Sequence, residues 1–218
     1  MIRFDLEHAT LQLGIVLAAG VQCAASAEQL LEQMLAAEAL VRVDASAFPE
    51  PVRKAVRDVL RVGGYKPTGR GKPASEYLVG AARERVLPRV NNLVDINNLV
   101  SLMTALPISI FDADQLGGDL AVRFGRSGEN YQFNSSGQVM DLSGIPVVCR
   151  AATDEPVGNA VKDSMLAKVG PSARNVTAVL YGSRQLPAGY LKLATQQMAQ
   201  LLTQFAAATD CQCEIVPQ

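Results

Sequence analysis

Residues 90–114 read VNNLVDINNLVSLMTALPISIFDAD and combine a helical pattern, a proline stop and a short β-prone run. Wound as a helix, the stretch places Asn91, Asp95 and Asn98 on one polar line, because residues three and four apart share a helix face. Proline disfavours the helical conformation in the residue before it, so we predict a helix over 90–106 that ends at Pro107. The apolar side chains expected to face the core are Leu93, Ile96, Leu99, Val100 and Met103.

The asparagines of this helix need an explanation. Carboxamides compete for backbone hydrogen bonds, so each costs a few tenths of a kcal/mol relative to a good helix former. Two interpretations are open. Asn91, Asn92 and Asp95 either cap the helix, bridge to loops or satisfy buried carbonyls, or the polar line belongs to a binding site.

The residues before this stretch predict three helices and a strand. Residues 11–21 are apolar and favour a buried strand, although periodicity alone does not exclude a helix. Ser26 is predicted to cap a helix over 27–42, whose apolar stripe is Leu30, Leu31, Met34 and Leu35. A second helix is predicted over 52–62, a Gly/Pro-rich loop over 63–73, and a third helix capped by Ser75 and running to about residue 85.

After Pro107 short β-prone runs alternate with turns at 108–111, 119–124, 130–133, 145–150, 164–169 and 176–182. A helix over 189–207 and a strand near 213–216 close the chain. This order predicts an α+β fold with a mostly antiparallel β-barrel or sandwich core flanked by helices. No repeat or linker divides the sequence, so residues 1–218 are expected to form a single domain.

Composition narrows the class of protein. Hydrophobic residues make up 49% of 218 residues, enough for one substantial core. Aromatic residues are 5% and Trp is absent, which disfavours a protein that binds single strands by stacking bases. No stretch approaches the roughly 20 apolar residues of a membrane span, so a soluble, cytoplasmic protein without membrane contact is expected.

The net charge of −1 hides a strong local asymmetry. Residues 53–89 hold ten of the twenty basic residues and three acids, a balance of +7 against −8 elsewhere. This segment either faces a phosphate backbone or consists of solvated helix faces. In the first case its loop cations Lys66, Arg70 and Lys72 are the candidate RNA-binding residues.

Several kinds of chemistry are disfavoured. His8 is the sole histidine and is expected at the edge of an N-terminal strand, which removes most catalytic triads and histidine-based metal sites. The four cysteines lack zinc-site spacing and are expected to be reduced, structural thiols. The loop 64–70 lacks the Lys-Ser/Thr of a nucleotide-binding loop. No cofactor or metal site is therefore predicted.

The string 91–114, followed by Gly-Asp-Leu-x-Val-Arg at 118–123, resembles the helix, proline turn and Phe-Asp-x-Asp segment of one known domain. That domain is the editing domain of the phenylalanyl-tRNA synthetase beta subunit, formed by its third and fourth modules, of which free-standing relatives are known. The stretches Tyr65-Lys-Pro-Thr-Gly and Ser75-Glu-Tyr-Leu are similar to the lead-in of those relatives. The resemblance is clearest over residues 63–181.

The resemblance implies roles for particular residues. Editing uses a positioned water, and the water- and substrate-binding asparagine falls on Asn98, with Asn97 beside it where a threonine is usual. Ser109 replaces the family's histidine as the second catalytic candidate. A glutamate that recognises tyrosine is missing near 180–182, so tyrosine specificity is not implied. The remaining substrate-binding candidates are Asp112, Cys149, Arg150 and Asp154.

These candidates carry alternatives. Arg150 either pairs with Asp154 or binds a carboxylate or phosphate. Asp112 and Asp114 either orient site groups or stabilise a turn, and the polar run 159–164 has the same two interpretations.

Three functions follow. The first is hydrolysis of mischarged aminoacyl-tRNA in trans, with tRNA as partner and without the ATP-activation signature of a complete ligase. The second is a noncatalytic module that binds RNA or an amino acid on the same fold. The third is hydrolysis of an unrelated small ester or amide. The amino acid, the tRNA and the oligomeric state are not determined by the sequence.

Overall fold

The computed structural model describes residues 2–5 and 9–217, so the predicted position of His8 lies outside the described residues. The helices are α1 Glu28–Val43, α2 Glu50–Arg61, α3 Ala74–Arg83, α4 Asn92–Thr104, α5 Ala113–Leu116 and α6 Tyr190–Ala206. The strands are β1 Ile2–Phe4, β2 Leu11–Ala19, β3 Ile108–Asp112, β4 Leu120–Phe124, β5 Asn130–Gln132, β6 Val139–Asp141, β7 Pro146–Arg150, β8 Pro156–Asn159, β9 Asn175–Ser183 and β10 Asp210–Val216.

The strands form two four-stranded sheets and a hairpin. The central sheet has the order β10-β2-β9-β3 and is antiparallel throughout. The outer sheet has the order β1-β4-β7-β8, in which β1 pairs parallel to β4 and the other pairs are antiparallel. Strands β5 and β6 form the hairpin. The predicted α+β fold with a mostly antiparallel core is confirmed, and within residues 2–5 and 9–217 the sheets stay open rather than closing into a barrel.

The central sheet is covered on both faces. In β9, Val176, Ala178 and Leu180 pack with the helices, whereas Val179 and Tyr181 pack toward the outer sheet, as expected for side chains that alternate along a strand. A strand buried on both faces is apolar at nearly every position rather than at every second one. This double burial explains the continuous apolar run at 11–21 and confirms its assignment as a strand.

Helix α4 lies inside the molecule and contacts α1, α3, α6 and β3. Asn91 caps it by accepting a hydrogen bond from the Val94 N–H at 3.0 Å. Leu102 is 1% exposed and Met103 is 50% exposed, so the prediction that Met103 faces the core was wrong. The helix is buried around most of its circumference, and a one-sided apolar stripe was too simple a description of it.

The polar side chains at the start of α4 connect it to distant segments. Asn92 accepts from the Ala24 N–H at 2.9 Å and donates to the carbonyls of Gln22 at 2.8 Å and Phe205 at 2.9 Å. Asp95 accepts from the Ser26 hydroxyl at 2.6 Å. The structural interpretation is therefore confirmed for Asn91, Asn92 and Asp95.

Two predicted caps were wrong. Ser26 does not cap α1, which begins after Ala27 without a side-chain cap, because the Ser26 hydroxyl bonds to Asp95 instead. Ser75 lies within α3 and is 1% exposed, and α3 follows Pro73. Ser26 is partly exposed and bonds to Asp95, and Ser75 is buried within its helix, so tertiary placement overrides the local capping preference.

The β-prone run 164–169 was also assigned wrongly. It contains a 3₁₀ turn, Met165–Ala167, in which the Ser164 hydroxyl accepts from the Leu166 N–H at 3.2 Å. Strands β6 and β8 were not predicted. They are three and four residues long, too short for a clear alternating pattern.

Replacing Asn92 with alanine should destabilise the fold strongly. The substitution leaves two partly buried carbonyls and one N–H without their partner, and each such loss costs about 1 kcal/mol or more. We expect the free energy of unfolding, measured by urea denaturation, to fall by about 3 kcal/mol or more. Gln33→Ala, at an exposed position of α1, is the matched control and should change stability by less than about 0.5 kcal/mol. Equal effects of the two substitutions would contradict this account of α4.

Candidate functional site

A cleft of about 510 Å³ opens beside β3, the edge strand of the central sheet. Its walls come from α4, from the loop and helix around 70–78, from the β5–β6 hairpin and from the segment after β8. The lining residues are Arg70, Lys72, Ala74, Tyr77, Leu78, Asn97, Asn98, Ile108, Phe133, Asn134, Gln138, Val161, Lys162, Asp163 and Lys168. The cleft therefore joins the asparagine motif to the basic segment, two features that lie apart in the sequence.

Asn97 and Asn98 have different surroundings in the cleft wall. The Asn97 Nδ2 donates to the Ile108 carbonyl at 3.3 Å, which satisfies an acceptor on the free edge of β3. The Asn97 Oδ1 is buried and receives no hydrogen bond from any described residue. The Asn98 side chain, 8% exposed, forms no hydrogen bond with the described part of the chain. The Asn98 carboxamide is thus free to donate and accept toward the cleft.

Four cationic side chains line the same cleft. Arg70 and Lys72 come from the loop before α3, and Lys162 and Lys168 come from the segment after β8. The Lys162 ammonium lies 3.8 Å from the centroid of the Phe133 ring, and the Lys168 ammonium donates to the Phe133 carbonyl at 2.8 Å. Predicted cation Lys66 is exposed but does not line the cleft.

Most other cations of the basic segment are neutralised locally. Among the described residues, Arg53, Lys54, Arg57, Arg61 and Arg89 form ion pairs with Glu50, Glu76, Asp58 and Glu38. Arg70 and Lys72 form no ion pair with a described residue. The helix faces of this segment are thus largely solvated and paired, as the second alternative has it, and Arg70 and Lys72 on its loop carry unpaired charge.

Asp163 lies in the cleft and is supported from below by Ser109. The Ser109 hydroxyl donates to the Asp163 Oδ1 at 2.6 Å and lies 3.0 Å from the Tyr181 hydroxyl. Ser109 is 1% exposed and does not line the cleft. It points to the outer-sheet face of β3, opposite to Ile108 and Ile110, because side chains alternate along a strand. Ser109 thus reaches the cleft only through Asp163.

Burial changes the protonation of this pair. It raises the pKa of Asp163 from 3.8 to about 7, and the Ser109 hydrogen bond, the Lys168 charge and the Asn159 backbone amide oppose that rise. Burial also raises the pKa of Tyr181, so its phenol stays protonated and can donate to Ser109. The floor of the cleft therefore holds a carboxyl group that titrates near neutral pH.

The structure does not bring the remaining predicted site residues to the cleft. Asp112 caps α5 by accepting from the Asp114 N–H at 3.1 Å, which is the turn-stabilising alternative. Arg150 pairs with Glu155 at 2.9 Å rather than with Asp154. Asp154 pairs with Arg123 at 2.6 Å and also with Arg126.

The predicted site cysteine, Cys149, is not an activated nucleophile. All four are free thiols. Cys149 is 0% exposed, and burial raises the pKa of its thiol to about 12. A buried, protonated thiol neither contacts a substrate nor attacks one. Among the described residues, no three or more histidine, cysteine, aspartate or glutamate side chains lie together where they could hold a metal ion.

Sequence reasoning did not single out Asp163, Lys162 or Lys168. The run 159–164 was noted as polar, but its position after a short, unpredicted strand concealed its direction. Asn159 fixes this turn by accepting from the backbone N–H groups of Val161 at 2.8 Å and Lys162 at 3.1 Å.

No described helix is long and apolar enough to cross a membrane.

Comparison with known proteins identifies the matching region. The family model of the B3/4 domain matches residues 70–207. The phenylalanine–tRNA ligase beta subunit of Nitrobacter winogradskyi is 32% identical over 114 residues, which cover 50% of this chain and 14% of that protein. The corresponding subunit of Bordetella pertussis is 38% identical over 88 residues, covering 40% of this chain and 10% of that protein. The matched segments are thus a small part of these relatives.

A solved structure supports the fold. An N-terminal fragment of the phenylalanyl-tRNA synthetase beta subunit from Pyrococcus horikoshii superposes with a TM-score of 0.52 at 10% identity. The superposition covers 100% of this chain and 55% of that fragment. At this identity the comparison concerns the fold alone.

The Asp163 titration predicts an unusual pH dependence of stability. Its folded pKa lies above its unfolded value, so the favourable contribution is complete below pH 3.8 and is lost as the pH rises through about 7. The Asp163→Asn substitution removes the titrating group, so the variant does not lose this stability as the pH rises. Relative to wild type, we expect this variant to gain about 2–4 kcal/mol in unfolding free energy between pH 4 and pH 8 in urea denaturation.

Asp114→Asn is the control for this measurement. The pKa of Asp114 is lowered by the Asn175 side chain, so its titration falls below pH 3.8 and its removal should not change the slope between pH 4 and pH 8. Parallel stability curves for wild type and Asp163→Asn would show that Asp163 does not titrate in this range.

Proposed function

The chain belongs to the B3/4 domain family, and on that premise we propose that it hydrolyses the ester bond of mischarged aminoacyl-tRNA in trans. The observation that carries the proposal is the convergence of Asn97 and Asn98 with Arg70 and Lys72 on one cleft. The relatives named above are beta subunits of phenylalanine–tRNA ligase, which is consistent with tRNA as the partner.

The proposed reaction needs a positioned water and no covalent intermediate. The water oxygen attacks the ester carbonyl carbon, the bond from that carbon to the ribose oxygen breaks, and the released ribose oxygen receives a proton. Asn98 is assigned the role of holding the water or the carbonyl, because its carboxamide has both donors and acceptors available toward the cleft. This assignment fits a cleft whose described residues include neither a histidine nor a reactive thiol.

The cations are assigned to the tRNA end. Arg70, Lys72, Lys162 and Lys168 surround the cleft, where phosphate groups next to the scissile ester would lie within reach. Exposed Lys66, on the same loop as Arg70, would contact phosphates outside the cleft. The rest of the chain is acidic on balance, so attraction to a polyanion is concentrated at this face.

A noncatalytic binding module on the same fold is the second candidate. It is favoured by the burial of Ser109, which stands where the family has histidine and has no access to a substrate. This function predicts binding of the charged tRNA end without release of amino acid.

The Asn98→Ala substitution should lower the deacylation rate. A panel of mischarged tRNAs is incubated with purified protein, and released amino acid is measured under single turnover. Removal of one positioned hydrogen-bonding group typically lowers such rates by about 10²–10³-fold, and we expect a loss of that order. Gln196→Ala, an exposed carboxamide on α6, should retain the wild-type rate. If wild type deacylates none of the panel but binds it, the binding module replaces the hydrolase.

Removal of the unpaired cations should weaken tRNA binding. The double variant Arg70→Ala, Lys72→Ala loses two phosphate contacts, so the slope of log affinity against log salt should become shallower by about 1.4–1.8. The control is Lys54→Ala, Arg61→Ala, which removes the same charge from residues already paired with Asp58. Equal changes in the two double variants, measured by filter binding, would argue against a specific basic cleft.

A further inference from the structure

Asp163 carries a charge opposite to that of the side chains around it. It is the one carboxylate among the described residues that line a cleft with four cations. It nevertheless forms no ion pair with a described residue, and nearby Lys168 donates to the Phe133 carbonyl instead. Asp163 is partly buried, and its carboxylate has the Ser109 hydroxyl but no cation as a side-chain partner, so it is available to a cationic ligand.

The surrounding residues hold this carboxylate in a defined position. Ser109 donates to Oδ1 from below, while no described side chain donates to Oδ2. Gly158 leaves the necessary space, since a Cβ atom there would lie 2.5 Å from Oδ1 and would also collide with the Phe111 ring. The Ser109 hydroxyl and the Asn159 backbone N–H thus hold the carboxylate, and no side chain of the described residues competes for Oδ2.

A second acceptor in the cleft wall also lacks a donor. Asn97 is 8% exposed, its Nδ2 is held by the Ile108 carbonyl, and its buried Oδ1 has no partner in the described chain. An unpaired buried acceptor costs about 1–3 kcal/mol. The cleft therefore combines two acceptors, one of them charged, with cations that suit phosphate.

We propose that Asp163, together with Asn97, binds the α-ammonium group of the amino acid, so that the cleft accepts esters of unblocked amino acids and rejects N-acylated ones. The proposal rests on the proposed function and names the substrate class of that site. An ammonium group brings a positive charge and three N–H donors, which match an unpaired carboxylate and an unpaired amide oxygen. Ser109 is a positioning residue in this arrangement, since it contacts Asp163 and not the substrate.

The pattern of charge along the cleft favours this ligand over simpler ones. A free phosphate or an uncharged ester would leave Asp163 without a counter-ion among the cleft's own groups. An aminoacyl nucleotide carries an ammonium group near its ester and phosphates farther along, and so presents both signs of charge. Acylation of the amine removes its positive charge and adds a bulky group next to the Asp163 carboxylate.

The test compares a charged tRNA from the deacylation panel with the same tRNA after chemical N-acetylation. Wild type should prefer the free amine by about 30-fold or more in kcat/KM, the size expected for loss of one partner of a buried charge pair. Asp163→Asn should lower activity on the free amine and leave activity on the N-acetyl ester unchanged, so that the preference falls to within about threefold. Ser109→Ala should reduce the preference in part.

Other results would overturn the inference. Equal wild-type rates on the two esters would exclude ammonium recognition while leaving the hydrolase intact. An equal loss on both esters in Asp163→Asn would assign Asp163 to general catalysis instead. Circular dichroism and thermal unfolding confirm that each variant is folded.

A binding measurement covers the case in which no ester is cleaved. Calorimetry with an adenosine that carries an amide-linked aminoacyl group at its 3′ position, with and without N-acetylation, measures the same discrimination without turnover. Tighter binding of the free amine that depends on Asp163 supports the inference even if the hydrolase fails. Equal affinities contradict it.

Discussion

The burial of α4 is the constraint on which the rest of the structure depends. A helix enclosed by three other helices and a strand has few water molecules available to its side chains, so each polar group must find a partner within the protein. Asn92 binds the segments around residues 22–24 and 205, and Asp95 binds Ser26. Those bonds fix the N-terminal half of α4 relative to α1 and α6. They also direct the next polar pair, Asn97 and Asn98, to the open edge of β3.

The cleft follows from this placement. An edge strand leaves backbone groups without a neighbouring strand, and Asn97 satisfies one of them at Ile108. The β5–β6 hairpin and the segment after β8 come from the outer sheet and complete the walls. Ser109 points from β3 toward that layer and meets Asp163 there. The candidate site is thus a junction between the two sheets, where polar groups remain because neither hydrophobic core covers them.

The charged side chains fall into two groups, those paired within the protein and those available to a ligand. On α2 the cations pair with neighbouring carboxylates, and the exposed pairs among them contribute little to stability. On the loop before α3, Arg70 and Lys72 keep their charge for the cleft. Asp163 places a negative charge at the floor of this otherwise positively charged cleft. A ligand that carries both charges is therefore matched better than a simple anion, which connects the proposed hydrolase with its proposed substrate class.

Local pattern in the sequence determined the five longer helices, the strand at 11–21, the α+β class and the family resemblance, because periodicity, proline and burial on two faces are visible in the order of residues. It did not indicate the four-residue helix α5. It also indicated Asn97, Asn98, Arg70 and Lys72. The tertiary structure alone decided that Ser26 and Ser75 are not caps, that Arg150 pairs with Glu155 and not Asp154, and that Ser109 lies beneath Asp163. Each of these outcomes depends on which distant segments pack together. The partner of a hydroxyl, an arginine or an aspartate is set by that packing and not by its neighbours in sequence.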